Sequence, residues 1–355
     1  IMKSSFIKTQ SLRLARVIKY ISVFLLASLM SVGATQAEYL ERVEVQAFVQ
    51  DLVATEGFSA AELAPIIAAA SYKQTIIDAI SRPAEKVLTW KEYQDIFLTA
   101  RRVKEGREFM VQQGQALARA QQQYGVPPEV IAAIIGVETM YGSNKGSYRV
   151  LDALATLAFD YPPRSKFFLS ELKHFLLLAR EEQLDPLLPL GSYAGAMGYG
   201  QFISSSYRHY AVDFDADGKR DIWDNPVDAV GSVANYLAMH GWQAGELVTV
   251  RGAITDNAKS SAPSSLADVY NVDLKPTMSL LALGKLGLSL SGASSDLNTM
   301  VSPMQLNGKH GAEVWLGFQN FYVITRYNHS KLYAMAVFQL SEQLKAQDLA
   351  SGSTR

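Results

Sequence analysis

A strongly apolar segment that begins at the second of two adjacent prolines constrains the fold of this chain more than any other feature. Residues 128–139 read PEVIAAIIGVET, and a proline in the first turn is well placed to start a helix. One face of that helix carries three isoleucines and a carboxylate, which are Ile131, Ile134, Ile135 and Glu138. A chain of 355 residues can bury a sizeable core. The pattern therefore predicts a helix whose apolar stripe ends in a carboxylate.

The position of Glu138 makes it a candidate catalytic residue. A carboxyl group held against apolar side chains has a raised pKa, because its charged form is poorly solvated. A glutamic acid that stays protonated near neutral pH is what general-acid cleavage of a glycosidic bond requires. Taken alone the signal is weak, because a lone glutamate at a helix end is usually an ordinary solvated residue.

Two further segments are suited to polar recognition. Residues 191–200 contain closely spaced glycines, which let the backbone approach a ligand. The amide of Gln201, which follows, can donate to and accept from sugar hydroxyl or acetamido groups. The Arg-Tyr-Asn-His-Ser segment at 326–330 overlaps the end of a run, 321–327, that looks strand-like. A structural turn and a loop are the alternatives for these two segments.

An acidic loop at 213–224 fits the calcium-binding pattern of EF-hands, and oxygen ligands favour Ca²⁺. The loop positions that supply side-chain or backbone oxygens are occupied by Asp213, Asp215, Asp217, Lys219 (backbone carbonyl), Asp221 and Asp224. The last of these replaces the usual glutamate, and its shorter side chain leaves Asp228 as a competing closing ligand. The alternative is a solvated, aspartate-rich turn.

The N-terminal residues 1–37 have the pattern of a secretory signal peptide. A basic start precedes an apolar run, and a small residue, Ala37, ends a plausible cleavage site. An uncleaved anchor is the alternative, and no second apolar run predicts a membrane span after cleavage. The chain has no cysteine and a formal net charge of -1. These values exclude disulfides and thiolate metal sites, and they argue against a nucleic-acid binder.

The changes in pattern along the chain predict a mainly α (α+β) protein. After the signal peptide we expect a helical domain at 38–125, a catalytic core at 126–246 that carries the acidic loop at 213–228, and a small β-rich module at 247–311. The chain then returns to the core at 312–345 with the strand-like run and a C-terminal helix, and it ends in a tail at 346–355.

Several motifs occur together in an order that resembles one family. They are residues 136–139, 191–202, 213–224, 231–236 and 320–328. Together they are similar to the lytic murein transglycosylase B family of bacterial cell-wall enzymes, and the resemblance spans about residues 40–345. It implies a lysozyme-like catalytic core with an N-terminal helical domain and a small inserted β module. It also implies a periplasmic location and a structural Ca²⁺ with no organic cofactor.

The resemblance implies non-hydrolytic cleavage of the β-1,4 bond between N-acetylmuramic acid and N-acetylglucosamine in peptidoglycan. The muramic acid C6 hydroxyl attacks its own C1 and leaves a 1,6-anhydro end. Glu138 is then the single general acid and base. The glycan strand is the expected partner, and other cell-wall enzymes are further candidates. A muramidase that hydrolyses the same bond and an inert peptidoglycan-binding scaffold are the competing hypotheses. The presence of both Glu138 and Gln201 argues against the scaffold.

By the same resemblance, Ser192 and Gln201 line the muramic acid subsite. The residues expected to shape the glycan groove are Phe202, Tyr236, Tyr327, Asn328 and Tyr333, with Tyr93 approaching from the helical domain. Arg164 is expected to contact a peptide stem or a more distant sugar. The family often has two adjacent arginines there, whereas this chain has Pro163-Arg164, so the prediction for the peptide stem is weaker.

Overall fold

The structure, a computed structural model, describes residues 39–81, 88–254, 264–290 and 296–345. The predicted signal peptide at 1–37 and the predicted tail at 346–355 lie outside these ranges. Among the described helices, none combines the length and the apolar character that crossing a bilayer demands.

The first part of the described chain is helical, as the sequence pattern predicts. Its helices are α1 (Val43–Glu56), α2 (Ala60–Ala68), α3 (Gln74–Ile80), α4 (Trp90–Phe97), α5 (Ala100–Gln112) and α6 (Gly114–Tyr124). Ser59 and Thr89 each form a capping box with the glutamate three residues later, which fixes where α2 and α4 begin. Gly57 and Gly125 end α1 and α6 in the left-handed conformation.

The apolar segment forms α7 (Pro128–Thr139) at the centre of the molecule. It is packed by α5, α6 and two later helices, α11 (Pro226–Met239) and α15 (Lys331–Lys345). Its three isoleucines are fully buried, and each such side chain contributes about 1.5–3 kcal/mol to stability. The helices that complete this core are α8 (Val150–Asp160), α9 (Ser165–Glu181) and α10 (Ser204–Tyr210).

Two sheets accompany the helices. The short strands β1 (Tyr148–Arg149) and β2 (Leu190–Gly191) pair antiparallel. A five-stranded antiparallel sheet with the order β4-β6-β7-β3-β5 has its own apolar cluster. Its strands are β3 (Thr249–Ile254), β4 (Met278–Ser279), β5 (Leu288–Leu290), β6 (Met300–Gly308) and β7 (Gly311–Gly317), and the short helices α12 (Ser264–Ala267) and α13 (Leu280–Lys285) lie between them.

The prediction of a strand-like run at 321–327 is wrong. These residues lie in α14 (Gln319–Tyr327), where the buried side chains include Phe321, Ile324 and Thr325. Their spacing of three and four residues matches a helix that packs against α11 and α15. Tertiary packing therefore overrides the strand preference of an aromatic and β-branched segment. The sheet also continues to Gly317, beyond the predicted boundary at 311.

Candidate active site

Glu138 lies in the last turn of α7, immediately before a sharp change in backbone direction. Met140 and Tyr141 both adopt left-handed conformations, with φ of 51° and 55°. Such conformations cost non-glycine residues about 1–3 kcal/mol and persist only where the surroundings enforce them. The Tyr333 hydroxyl on α15 donates a hydrogen bond of 2.7 Å to Glu138 Oε1. The carboxylate is thus oriented from a helix distant in sequence.

Thr139 attaches the end of α7 to the glycine-rich segment. Its side chain is 1% exposed, and its Oγ1 donates to the carbonyl of Tyr199 over 2.9 Å. The same oxygen accepts from the Gly142 amide over 3.0 Å. Sequence reasoning missed this role, because a threonine hydroxyl at a helix end carries no signal of what it will bind.

A cluster of packed aromatic rings adjoins Tyr333, the residue that binds the Glu138 carboxylate. The rings of Tyr327 and Tyr333 lie parallel, with centroids 6.4 Å apart and an interplanar angle of 9°. The Tyr327 hydroxyl donates to the Gly200 carbonyl over 2.6 Å, and the Tyr236 hydroxyl to the Arg326 carbonyl over 2.6 Å. Phe202 contacts both Tyr236 and Tyr327, with ring centroids 5.8 Å apart in each pair. Four predicted groove residues are therefore in one cluster.

The aromatic rings of this cluster are too buried for a sugar ring to stack broadly on their faces. Phe202 is 3% exposed, Tyr333 2% and Tyr236 8%. Burial raises the pKa of Tyr327 and Tyr333 well above the ordinary value, and the charge of Glu138 raises both further. Both phenols therefore stay protonated and act as neutral donors.

Ser192 and Gln201 lie in the glycine-rich segment and hold its turn together. The Ser192 Oγ accepts from the amides of Ala194 (3.3 Å) and Ala196 (3.1 Å). Gln201 has a φ of 50°, and its Nε2 donates to the carbonyls of Lys145 (3.2 Å) and Gly198 (3.0 Å). These bonds commit the Gln201 side-chain amide nitrogen to the backbone. No hydrogen bond from the described residues reaches its carbonyl oxygen.

The remaining predicted groove residues have different surroundings. Tyr93 is 2% exposed and packs between Trp90 and Phe97, and its phenol raises the pKa of Tyr333. Asn328 ends α14 directly after Tyr327. Arg164 is exposed, and its guanidinium lies 4.3 Å from the centre of the Phe167 ring. The described contacts do not join Arg164 to the tyrosines around Glu138.

The acidic loop brings three of its predicted ligands together. Asp213, Asp215 and Asp217 each direct a carboxylate oxygen into a space where all three atoms lie within 4.8 Å of one another. Asp224 instead pairs with Lys145 over 3.0 Å, and its side chain is 84% exposed. Asp228 is fully buried and accepts from the amides of Phe214 (2.6 Å) and Asp221 (2.8 Å). It therefore ties the two sides of the loop together.

Comparison with known proteins assigns this arrangement to a family. The sequence matches the family described as transglycosylase SLT domain over residues 41–342. The chain belongs to this transglycosylase family. The predicted family resemblance and the predicted mainly helical fold with a small sheet are thereby confirmed.

Individual relatives cover almost the whole chain. Membrane-bound lytic murein transglycosylase B of Escherichia coli (strain K12) is 40% identical over 328 residues, which is 90% of this chain and 87% of that protein. The structure of soluble lytic transglycosylase SltB1 from Pseudomonas aeruginosa is 48% identical, with a TM-score of 0.79, and the match covers 85% of this chain and 98% of that one. The structure of the Escherichia coli lytic transglycosylase SLT35 in complex with calcium is 41% identical, with a TM-score of 0.78, covering 88% and 95%.

For a transglycosylase with this geometry, Tyr333→Phe is expected to lower kcat by about 10- to 100-fold. The substitution removes one hydrogen bond to a charged group, which is worth about 1.5–3 kcal/mol. Turnover of purified peptidoglycan measures the effect. Tyr322→Phe is the matched control, because Tyr322 is a half-buried tyrosine on α14 whose ring lies 6.0 Å from the Arg326 guanidinium. Equal activity of the two variants would contradict a role for the Tyr333 hydroxyl.

Proposed function

We propose that this protein is a lytic transglycosylase that cleaves the β-1,4 bond between N-acetylmuramic acid and N-acetylglucosamine in peptidoglycan without water. The products are strands with 1,6-anhydromuramic acid ends, and Glu138 is the single general acid and base. One observation carries the proposal: a carboxylate at the end of an apolar helix, bound by the Tyr333 hydroxyl at 2.7 Å. Membership of the transglycosylase family supports it.

In the first step Glu138 acts as a general acid. The bond between C1 of the muramic acid and the bridging oxygen breaks, and the proton of Glu138 passes to that oxygen, so that N-acetylglucosamine leaves as an alcohol. The carboxylate that remains accepts the hydrogen bond from Tyr333. Because the Tyr333 phenol stays protonated, it can stabilise the new negative charge without competing for the proton.

In the second step Glu138 acts as a general base. The C6 oxygen of the muramic acid forms a bond to its own C1, and the C6 hydroxyl proton returns to Glu138, which restores the starting acid. Ordinary glycosidases divide such roles between two carboxylates. One is sufficient here because the nucleophile belongs to the substrate, and an intramolecular attack needs no ordered water.

Mass spectrometry of the products from purified sacculi tests the proposed reaction. Non-hydrolytic cleavage gives muropeptides one water lighter than reducing muropeptides. Products with reducing ends would instead show that the protein is a hydrolytic muramidase. No products at all would favour a peptidoglycan-binding scaffold, and both of these outcomes would reject the transglycosylase proposal.

We also propose that Ser192 and Gln201 lie at the muramic acid subsite, with the Gln201 carbonyl oxygen accepting from the sugar. Tyr327 and Tyr333 act mainly as oriented hydroxyl groups below the carboxylate, since their rings are largely covered. Phe202, Tyr236 and Tyr93 support these phenols by packing. Asn328, which follows Tyr327 directly, lies at the edge of the same cluster, whereas Arg164 would act farther along the glycan.

We further propose that the acidic loop binds a structural Ca²⁺ through Asp213, Asp215 and Asp217, with the Lys219 carbonyl and Asp221 completing the set. The three convergent carboxylates fit a hard cation. Within the described part of the chain, no lysine or arginine forms an ion pair with any of them. Asp228 braces the loop by accepting from the backbone amides of Phe214 and Asp221. The ion would stabilise the loop and supply no catalytic chemistry.

Removal of calcium is expected to lower the melting temperature. An ion present at about 100 times its Kd stabilises the folded state by about 2.7 kcal/mol, and a chelator removes that contribution. Differential scanning calorimetry with and without EDTA, followed by re-addition of calcium, measures the shift. Asp217→Asn should melt at a temperature that EDTA no longer changes. A wild-type melting curve that is unmoved by EDTA would contradict the calcium site.

We also propose where the protein acts in the cell and what it binds there. The pattern at residues 1–37 supports export by a cleavable signal peptide, and the substrate would be met in the periplasm. Glycan strands of peptidoglycan are the proposed partner, and other cell-wall enzymes are further candidates. Fractionation of cells that produce the full chain, with N-terminal sequencing of the protein from the periplasm, tests both the location and the cleavage site.

A further inference from the structure

A cavity of about 530 Å³ lies between the β1–β2 ribbon and the acidic loop. Its volume is typical of a site for a small molecule or a short peptide. None of the tyrosines around Glu138 lines it, and neither does Glu138 itself. We call it the ribbon pocket and define it by the residues Lys145, Asp185, Leu188, Leu190, Lys219 and Trp223.

The ribbon pocket shares a wall with the proposed muramic acid subsite. Lys145 and Gly146 line the pocket, while the Lys145 carbonyl accepts the Gln201 side-chain bond of 3.2 Å. A Cβ atom placed on Gly146 would lie 2.0 Å from the Gly191 carbonyl oxygen and 2.5 Å from the Ser192 amide nitrogen. One thickness of backbone therefore separates the pocket from Ser192 and Gln201. A group that branches from a sugar held by those two residues starts close to the pocket.

The lining carries charges of both signs that remain available to a ligand. Lys219 is exposed, and it has no ion pair among the described residues. Asp185 is also exposed, and its carboxylate accepts from the Leu187 amide over 2.9 Å, with no ion pair in the described part of the chain. Four of the other charged side chains are neutralised in part, since Lys145 pairs with Asp224 and Arg220 with Glu182. The Asp221 carboxylate, which also lines the pocket, accepts from the Trp223 and Asp224 amides. A ligand that fits this pattern carries both a carboxylate and an ammonium group.

The rest of the lining is apolar and unusually exposed. Leu188 is 70% exposed and Leu190 46%. The Trp223 indole is fixed beside them, because its Nε1 donates to the Leu190 carbonyl over 3.1 Å. Exposed leucines next to an oriented indole are suited to the aliphatic part of a ligand. The pocket thus combines a cation, an anion and an apolar surface within one cavity.

We propose that the ribbon pocket binds the peptide stem of the substrate, through a part that carries a carboxylate, an ammonium group and an aliphatic chain. The inference rests on the proposed function, which places a peptide-bearing sugar beside Ser192 and Gln201. The stem carboxylate faces Lys219, the ammonium faces Asp185, and the aliphatic chain lies on Leu188 and Trp223. The pocket makes cleavage faster when the glycan carries its stems.

The test compares two substrates with one set of full-length variants. The substrates are glycan strands with intact peptide stems and the same strands after an amidase has removed the stems. Leu188→Glu places a negative charge where the aliphatic chain of the stem lies, and Asp185→Asn removes the charge that faces the ammonium. Each is expected to lower kcat/KM at least about fivefold on the stem-bearing strands and to leave kcat/KM on the bare strands unchanged. Leu281→Glu, at a leucine of α13 that is 45% exposed, is the matched control and should change neither value.

The outcomes separate this inference from the proposed function. Wild-type protein that cleaves neither substrate would reject the proposed function. Wild-type cleavage of both substrates with variants that lose nothing, or that lose equally on both, would overturn the ribbon pocket as a stem site. In a further experiment, titration calorimetry measures whether the released tetrapeptide binds to the protein. Binding of the free peptide without any dependence of cleavage on stems would assign the pocket to a soluble peptide and would also overturn the proposal.

Discussion

Glu138→Gln is expected to lower the rate of peptidoglycan cleavage by about 10²- to 10⁴-fold, the range for the loss of a general acid or base. The effect should lie towards the upper limit, because the same carboxyl group is proposed to act in both steps. Glutamine has nearly the same shape, and its carbonyl oxygen can still accept the Tyr333 hydrogen bond that is 2.7 Å long in the wild-type structure. The folded state should therefore keep its stability, and turnover should be lost without loss of glycan binding.

Glu129→Gln is the matched control for this variant. Glu129 lies in the first turn of the same helix, and its carboxylate is 3.9 Å from Lys345. It carries the same chemical change far from the tyrosines. Turnover is measured as the release of anhydro-muropeptides, and thermal melting checks the fold. Normal turnover by Glu138→Gln, or an equal loss in both variants, would reject Glu138 as the acid and base.

The central helix and the acidic loop could be predicted from sequence because local rules determine both. The proline at the start of α7 and its run of apolar residues specify one buried helix, and the carboxylate follows from the helical period. In the loop, alternating aspartates followed by Gly218 place three oxygens together without help from distant parts of the chain. Here local chemistry and the final structure agree, so a pattern is enough.

The segment at 321–327 shows where local rules fail. Its aromatic and β-branched residues favour a strand, but the helix α14 lets Tyr327 reach the Gly200 carbonyl, 127 residues away in sequence. The same helix presents the Arg326 carbonyl to the Tyr236 hydroxyl. Those contacts depend on where α11 and the glycine-rich segment lie. Intrinsic strand propensity is weak and context-dependent, so packing decides the outcome.

The long-range side-chain contacts of the site could not be predicted from the sequence. The hydroxyls of Tyr333 and Thr139 each join elements that are distant in the chain, over 195 and 60 residues. Residue type alone does not tell whether such a hydroxyl faces a carboxylate, a carbonyl or water. The ribbon pocket is likewise assembled from segments around Lys145, Leu188 and Trp223. Each of these segments is unremarkable on its own.

Gly146→Ala is expected to destabilise the folded state by about 2–6 kcal/mol and to lower activity with it. The residue has a φ of 96°, and an alanine held there costs about 1–3 kcal/mol in backbone strain. Its new Cβ would also lie 2.0 Å from the Gly191 carbonyl oxygen. That neighbour is backbone, so the chain must shift, at a further cost of about 1–3 kcal/mol. The shift would also move Ser192, which follows Gly191 directly and is proposed to lie at the muramic acid subsite.

Gly311→Ala separates the two contributions. Gly311 has a φ of 110°, but a Cβ atom there would have no neighbour within 4 Å. The control variant therefore has the backbone strain but not the steric overlap of the new Cβ. Its free energy of unfolding should fall by only about 1–3 kcal/mol. Denaturant unfolding measures both free energies, and kcat/KM on bare glycan strands reports the position of Ser192. If the two alanine variants unfold alike and cleave alike, Gly146 does not form the tight wall between the ribbon pocket and the muramic acid subsite. If only Gly146→Ala loses activity as well as stability, that wall is part of what holds the sugar against Glu138.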